Sequence, residues 1–247
     1  MNKNQLKQIQ SLKYAKYRKL YGKFFIEGLR LVKGALDWSS KVEDIYCTRV
    51  FYNDNSTSAI FNNIEKGKVE IVSEEVLRKI CSTKSPSGIA AICTMPNKNS
   101  IDLKEKQWLY LDEISDPGNL GTFLRSASWF GLNNIALSPN SVDPYNPKVV
   151  RAAMGAHFSL NLIKNIDLKE FYSTHTIVAA NQKGTELTNF NFPKKSVFVF
   201  GNEAHGISSK SIKIAQQFIT IKKYGVGESL NVASAASIIM HMIQSNK

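Results

Sequence analysis

The feature that most constrains this 247-residue chain is a rhythm in its second half. Short runs rich in β-branched and aromatic residues recur at 108–114, 134–137, 176–180, 197–200 and 218–221, and helical patterns fill 120–130, 147–156, 208–216 and the segment after 231. Strands that alternate with helices predict a mostly parallel sheet covered on both faces. Ligands of such sheets gather beyond the carboxyl ends of the strands, so the residues after each run are the first place to look for chemistry.

The first hundred residues carry a smaller α/β pattern. Leu6, Ile9 and Leu20 predict a lysine-rich amphipathic opening helix; Phe24-Phe25-Ile26 reads as extended, and Leu29, Leu31, Val32, Ala35 and Leu36 as helical. Strands are predicted at 42–47, 69–72 and 89–94 and helices at 58–66 and 73–80, the last opened by Ser73 as a cap without a full capping box. Pro96-Asn97-Lys98-Asn99-Ser100 and the charged stretch 102–106 read as a linker. The predicted organisation is an α/β domain over 1–96, a linker over 97–106 and a second α/β domain over 107–247, and 43% apolar residues suffice for both cores.

The apolar runs are too short for a membrane span and the opening residues are polar, so a cytoplasmic protein without a membrane partner is expected. Cys47, Cys81 and Cys93 form no CxxC pair and share no metal-ligand spacing with the four histidines, which predicts buried, reduced thiols and no metal. Net charge is +12, and residues 1–23 hold seven Lys or Arg and no acid, a balance that favours a polyanion such as nucleic acid as much as plain solubility. Lys13, Lys16, Arg18, Lys19 and Arg30 are the candidate contacts.

Three strand ends carry residues that packing alone does not need. After 108–114 comes Ser115-Asp116-Pro117-Gly118-Asn119, with Asn119 a possible cap for a helix whose buried stripe is Leu120, Phe123, Leu124 and Ala127; Arg125 lies one position off that stripe. After 197–200 comes Gly201-Asn202-Glu203-Ala204-His205-Gly206, where Gly201 would let a ligand approach the backbone closely. After 218–221 come Lys222-Lys223-Tyr224-Gly225-Val226-Gly227 and then Ser229 and Asn231, both good caps for a closing helix with Val232, Ala235, Ile239 and Ile243 on its inner face. No charged residue lies between Glu228 and Lys247, so that helix is expected to be buried. The P-loop, the complete dinucleotide fingerprint and HExxH are absent, which removes support for nucleotide hydrolysis, dinucleotide binding and zinc hydrolysis.

Together the three strings resemble the motifs of the SpoU/TrmH family of RNA ribose methyltransferases, within the SPOUT class. The first is N-x-G-x-x-x-R-x-A, here Asn119, Gly121, Arg125 and Ala127; the second is Gly201-Asn202-Glu203 with Gly206; the third is Ser229-Leu230-Asn231-Val232. Phe25-Ile26-Glu27-Gly28-Leu29-Arg30-Leu31-Val32 and Ser85-Pro86-Ser87-Gly88-Ile89 are similar to parts of that family's N-terminal substrate-binding domain. One departure stands out: Ile221-Lys222-Lys223 occurs where relatives usually have Ile-Pro-Met.

The resemblance implies a SPOUT domain with a deep trefoil knot, S-adenosylmethionine as cofactor and a homodimer joined through the carboxyl-terminal domain. It implies methyl transfer to a ribose 2′-hydroxyl, with ribosomal RNA (23S) the first choice of substrate and transfer RNA the second. The rivals are a base methyltransferase on the same fold and a non-catalytic RNA-binding member. Arg125 would engage the 2′-hydroxyl and a neighbouring phosphate, with Asn119, Glu203, Ser229 and Asn231 holding it and the nucleotide in place. Gly201, Asn202, Ile221, Leu230 and Ala180 would contact the cofactor, several of them through the backbone. The histidines are expected to be structural.

Overall fold

A computed structural model describes residues 1–38, 42–54, 56–62, 64–65, 67–97 and 100–246. The chain divides into two compact units, Met1–Asn97 with Tyr145–Phe158, and Lys98–Pro144 with Ser159–Lys247.

The opening helix of the first unit is split into α1 (Lys3–Ser11) and α2 (Ala15–Tyr21). A capping box between Asn2 and Gln5 starts α1, and the Arg18 guanidinium ends it by donating to the carbonyls of Leu12 (2.8 Å) and Lys13 (2.9 Å). Then follow β1 (Lys23–Glu27), α3 (Leu29–Asp37), β2 (Val42–Thr48), α4 (Arg49–Asn53), β3 (Val69–Val72), α5 (Glu74–Ile80) and β4 (Ile89–Thr94). The sheet order is β1-β4-β2-β3, with β4 antiparallel to both of its neighbours and β3 parallel to β2. Leu6 and Ile9 of α1 and Leu77 and Ile80 of α5 pack with Tyr46, Ala90 and Ile92. The helix predicted at 58–66 is a single 3-10 turn at Ser58–Phe61, and its positions 63 and 66 lie outside the described residues. Ser73 caps α5 by accepting from the Val76 N–H, as expected.

The second unit holds β5 (Gln107–Leu111), α6 (Pro117–Trp129) and β6 (Asn134–Leu137). The intervening α7 (Pro147–Ala153) belongs to the first unit, followed by β7 (Asn161–Lys164), β8 (Thr176–Glu186), β9 (Ser196–Phe200), α8 (Ser209–Ile214), β10 (Gln217–Thr220) and α9 (Val232–Ser245). The sheet runs β10-β8-β9-β5-β6-β7 with every pairing parallel, as the alternation predicts. Trp108, Tyr110, Ile163, Phe171, Ile177, Val197 and Val199 belong to one core cluster.

β7 is unanticipated, because only Leu162 and Ile163 carry its apolar signal between Asn161 and Lys164. The expected second domain is also interrupted: Tyr145–Phe158 groups with the first unit, where Tyr145 packs on Phe24 at a centroid distance of 4.9 Å. There Arg151 of α7 donates to the Ser82 hydroxyl at 2.6 Å. Residues 98 and 99 of the expected linker lie outside the described residues, and beyond them Ile101 and Leu103 pack on the core of the second unit.

Cys47 and Cys93 are buried, and burial pushes their thiols up to about 11 and about 12; Cys81 is half-buried and also pushed up to about 12. Among the described residues no helix is long and apolar enough to cross a membrane.

Candidate active site

The site grows from the carboxyl ends of neighbouring parallel strands. Beyond β5, Glu113 adopts a left-handed conformation (φ 57°) that turns the chain toward α6. Its N–H donates to the Ser138 hydroxyl at 2.7 Å, and its carbonyl accepts from the Asn202 amide at 2.7 Å. Helix α6 is capped by Asp116, whose carboxylate accepts the Asn119 N–H at 2.7 Å, with Pro117 in the first turn. Asn119 is therefore not the cap. It lies inside the first turn, where its side chain is free for other work.

That side chain links three segments of the chain. The Asn231 carbonyl oxygen accepts the Ala233 and Ser234 N–H groups at 2.9 and 3.3 Å, capping α9. Its amide nitrogen must then point away, and it donates to the Asn119 carbonyl oxygen at 2.8 Å. The Asn119 amide nitrogen in turn donates to Glu203 at 3.0 Å. The carboxylate of Glu203 also accepts from the Ser115 N–H (3.3 Å), the Ser115 hydroxyl (3.2 Å) and the Asp116 N–H (3.3 Å).

A group surrounded by donors must be an acceptor, which an ionised carboxylate is and a protonated one is only in part. Partial desolvation pushes the Glu203 pKa up, yet the Asn119 amide and the N–H groups of Glu203 itself, Ser115 and Asp116 together hold it below the ordinary value. Ser115 and Asp116 are members of the site that the motif reading missed. The Asp-Pro pair at the start of α6 was the available signal, since it marks a cap and first helical position.

The expected site residues fall into separate groups. Asn119, Glu203 and Asn231 are brought together, but they hold one another rather than Arg125. Arg125 is exposed on α6, and among the described residues no hydrogen bond or ion pair engages its guanidinium. Six positions separate it from Asn119, which turns it about 120° away around the helix. Ser229 lies in the exposed loop before α9.

Asn202, expected at the cofactor, spends its side chain on the protein: it donates to Glu113 and accepts from the N–H groups of Ala204 (2.8 Å) and His205 (3.3 Å). Gly201 has a local reason as well, because a Cβ there would lie 2.2 Å from the Gly206 carbonyl carbon and the Ile207 nitrogen. The close approach is made by the loop's own backbone, which Asn202 and Gly206 close with reciprocal bonds of 2.8 and 2.9 Å.

Gly201 and Ile221 follow β9 and β10, whereas Ala180 lies inside β8, just past its pairing with β9 and where its pairing with β10 shifts register. The loop after Ile221 is exposed from Lys222 to Leu230, with Leu230 itself 55% exposed. Ala180, Ile221 and Leu230 supply apolar surface and the loop from Ile221 to Leu230 supplies main-chain polar groups outside any helix or strand, a combination that fits the adenosine part of S-adenosylmethionine. Lys222 pairs with Glu186 at 3.3 Å, and Lys223 donates to the Gly227 carbonyl at 2.6 Å. The two lysines thus fasten the loop.

Of the expected RNA contacts, Lys13, Lys16, Lys19 and Arg30 are exposed, whereas Arg18 is 2% exposed and committed to the end of α1. His175 is a core histidine between Thr174 and the Glu105 carbonyl, each at 2.8 Å, and burial lowers its pKa despite the bond to Glu105. Helix α9 buries Ala233, Ala236, Ile239, Met240 and Ile243 but leaves Ser234, Ile238 and His241 exposed. Its lack of charge is therefore not explained by burial within one chain.

The chain matches the SpoU rRNA Methylase family over residues 106–241 and the MRM3-like substrate binding domain over 3–91. It is 29% identical to the 23S rRNA (guanosine(2553)-2'-O)-methyltransferase RlmP of Bacillus subtilis (strain 168), an alignment covering 97% of this chain and 100% of that one. A solved chain from Porphyromonas gingivalis, described as an RNA methyltransferase of the TrmH family, superposes with a TM-score of 0.88 at 27% identity, covering 100% of this chain and 99% of that one. An AdoMet-bound rRNA methyltransferase from Sinorhizobium meliloti gives a TM-score of 0.83 at 26% identity, covering 98% and 95% of the two chains. The chain belongs to the SpoU rRNA methylase family, a group of S-adenosylmethionine-dependent RNA methyltransferases with the SPOUT fold.

Proposed function

We propose that this chain methylates a ribose 2′-hydroxyl of ribosomal RNA, 23S RNA in the first instance. The observation that carries the reading is the hydrogen-bonded series Asn231–Asn119–Glu203, which joins all three motifs beyond parallel strand ends. When bound, S-adenosylmethionine supplies an electrophilic methyl group. The protein's tasks are to align the acceptor oxygen and to help its proton leave.

Arg125 is the group for the acceptor. A guanidinium is a poor base but a strong donor to phosphate and oxygen, so its first role is to hold the 2′-hydroxyl and an adjacent phosphate. Asn119, Glu203 and Asn231 fix the floor on which the nucleotide rests, and Ser229 lines its edge. Ala180, Ile221 and Leu230 contact the cofactor, with Gly201 and Asn202 shaping the loop beside it.

Within one chain Arg125 stands apart from the Glu203 series, as a site completed by a second subunit would require. Trp129 of α6 is 85% exposed and Ile238 of α9 is 42% exposed, an apolar surface suited to a homodimer through this unit. The resemblance extends to the trefoil knot. The same reading places the enzyme in the cytoplasm with its RNA.

The test is incubation with labelled S-adenosylmethionine and either ribosomal or transfer RNA, followed by digestion to nucleosides. Label on the sugar of ribosomal nucleosides is expected. Label on a base, or on transfer RNA alone, would replace the substrate assignment, and no label on either RNA would favour a non-catalytic binder.

A further inference from the structure

The first unit carries aromatic surface that its core does not use. Tyr14, at the N-cap of α2, and Tyr17 and Tyr21 within it follow at three- and four-residue spacing, so they share one side of the helix. Their ring centroids are 6.4 Å apart for Tyr14 and Tyr17 and 6.1 Å apart for Tyr17 and Tyr21, the latter pair stacked within 20°. Tyr14 is 56% exposed and Tyr21 36% exposed. Lysines are set among the rings, with the Lys13 ammonium 5.0 Å from the Tyr14 centroid and that of Lys16 5.8 Å from the Tyr17 centroid. No acidic residue occurs before Glu27.

Flat π faces beside ammonium groups suit a ligand that offers bases and phosphates together. A duplex presents its phosphates but keeps its base faces inside the stack, whereas an unpaired strand presents both. Arg18 sets the platform's orientation, because its bonds to the Leu12 and Lys13 carbonyls lock α2 against the end of α1. We propose that α2 is a stacking platform for unpaired RNA nucleotides, with bases on Tyr14 and Tyr21 and phosphates on Lys13 and Lys16. The proposal rests on the RNA methyltransferase reading and narrows its substrate to RNA that is single-stranded where it meets the first unit.

The test uses the full chain, a single-stranded RNA of about 12 nucleotides and the duplex of the same length. The double variant Tyr14→Ala/Tyr21→Ala should weaken single-strand binding by roughly 10- to 100-fold and duplex binding by less than about twofold, while Tyr14→Phe/Tyr21→Phe keeps both affinities. A 2-aminopurine placed in the single strand should be quenched by the wild type and the Phe variant but not by the Ala variant. Equal losses on strand and duplex, or no loss on either, overturn the proposal. Methyl transfer to ribosomal RNA by the wild type is measured alongside: its absence counts against the enzyme reading alone, and its presence with unchanged Ala-variant affinity counts against the platform alone.

Discussion

Both units use one glutamate to gather four donors from a distant segment, and they use it to different ends. Glu27, at the end of β1, accepts the N–H and hydroxyl of Ser82 at 2.6 and 2.7 Å and those of Thr83 at 3.2 and 3.0 Å. Its donors belong to two consecutive residues, so one loop is pinned. Glu203 accepts a similar set from Ser115, Asp116 and Asn119, but Asn119 passes the connection on to Asn231 and the start of α9.

The sheets explain the difference. In the first unit the reversed strand β4 lies between β1, which carries Glu27, and the pair β2-β3, so no adjacent strand ends beside Glu27; in the second unit every strand ends on the same side as its neighbours. A carboxylate with four donors is a fastening in either place. It becomes part of a site only where several strand ends converge.

The largest effect should come from Arg125→Ala, since among the described residues no hydrogen bond or ion pair engages that guanidinium and it is left to serve the substrate. Turnover on ribosomal RNA is expected to drop roughly 100- to 1,000-fold with cofactor affinity by calorimetry changed less than about twofold. A parallel loss of both would make Arg125 structural and erase the contrast between the units.

Arg18→Ala addresses the first unit, where a basic residue serves the fold. It should cost about 3 kcal/mol in denaturant unfolding, because two carbonyls lose a charged donor. Lys16→Ala and Lys19→Ala should leave stability unchanged and each lower the salt slope of RNA binding by roughly 1. An Arg18 variant as stable as the lysine variants would return Arg18 to the RNA surface.

Glu203→Gln and Glu27→Gln form the direct comparison. Each turns a donor toward donors and should cost about 2 kcal/mol of stability, but only the Glu203 change should also lower kcat, by roughly tenfold or more. Equal kcat effects would mean that the two fastenings do not differ.

Acid should act on the same hub. The Glu203 pKa is depressed in the folded chain, so the unfolded chain binds the proton more readily. Its contribution is complete above the ordinary value of 4.5 and is lost as pH falls through the folded value. Thermal melts below that pH should show a smaller decline for Glu203→Gln than for the wild type.

The smallest effect is expected from Lys223→Ala, which removes one exposed bond to the Gly227 carbonyl. Cofactor affinity should weaken by about threefold at most, and a larger loss would give the loop lysines a direct part in binding.

Much of the fold was legible in local pattern. The strands predicted at 69–72, 89–94 and 134–137 coincide with the observed ones, because each is a short run dominated by Val, Ile, Leu and Ala. The buried stripe of α6 was equally clear from helical spacing. The split between α1 and α2 was less visible, since the side chain that ends α1 comes from Arg18, inside the next helix. For the site, the motifs located Asn119, Glu203 and Asn231, and Asp116-Pro117 marks the cap of α6, yet no local pattern says that the Asn119 side chain freed by that cap meets Glu203 and Asn231. Asn202 and Gly201 read as ligand contacts for a similar reason, since a loop that closes on itself uses the same small and polar residues as one that closes on a ligand.

What the sequence determined by itself is therefore local or compositional: the strand–helix alternation, the apolar faces, the basic opening segment and the motif strings that identify the family. Hydrophobic periodicity and cap chemistry act over a few residues, so they can be read in order along the chain. Tertiary structure alone decided the strand order β10-β8-β9-β5-β6-β7, the departure of Tyr145–Phe158 to the first unit, the burial of Arg18 and the bonds spanning Asn119, Glu203 and Asn231. Those outcomes depend on which distant groups meet, and a polar side chain takes its role from the donors and acceptors that arrive beside it.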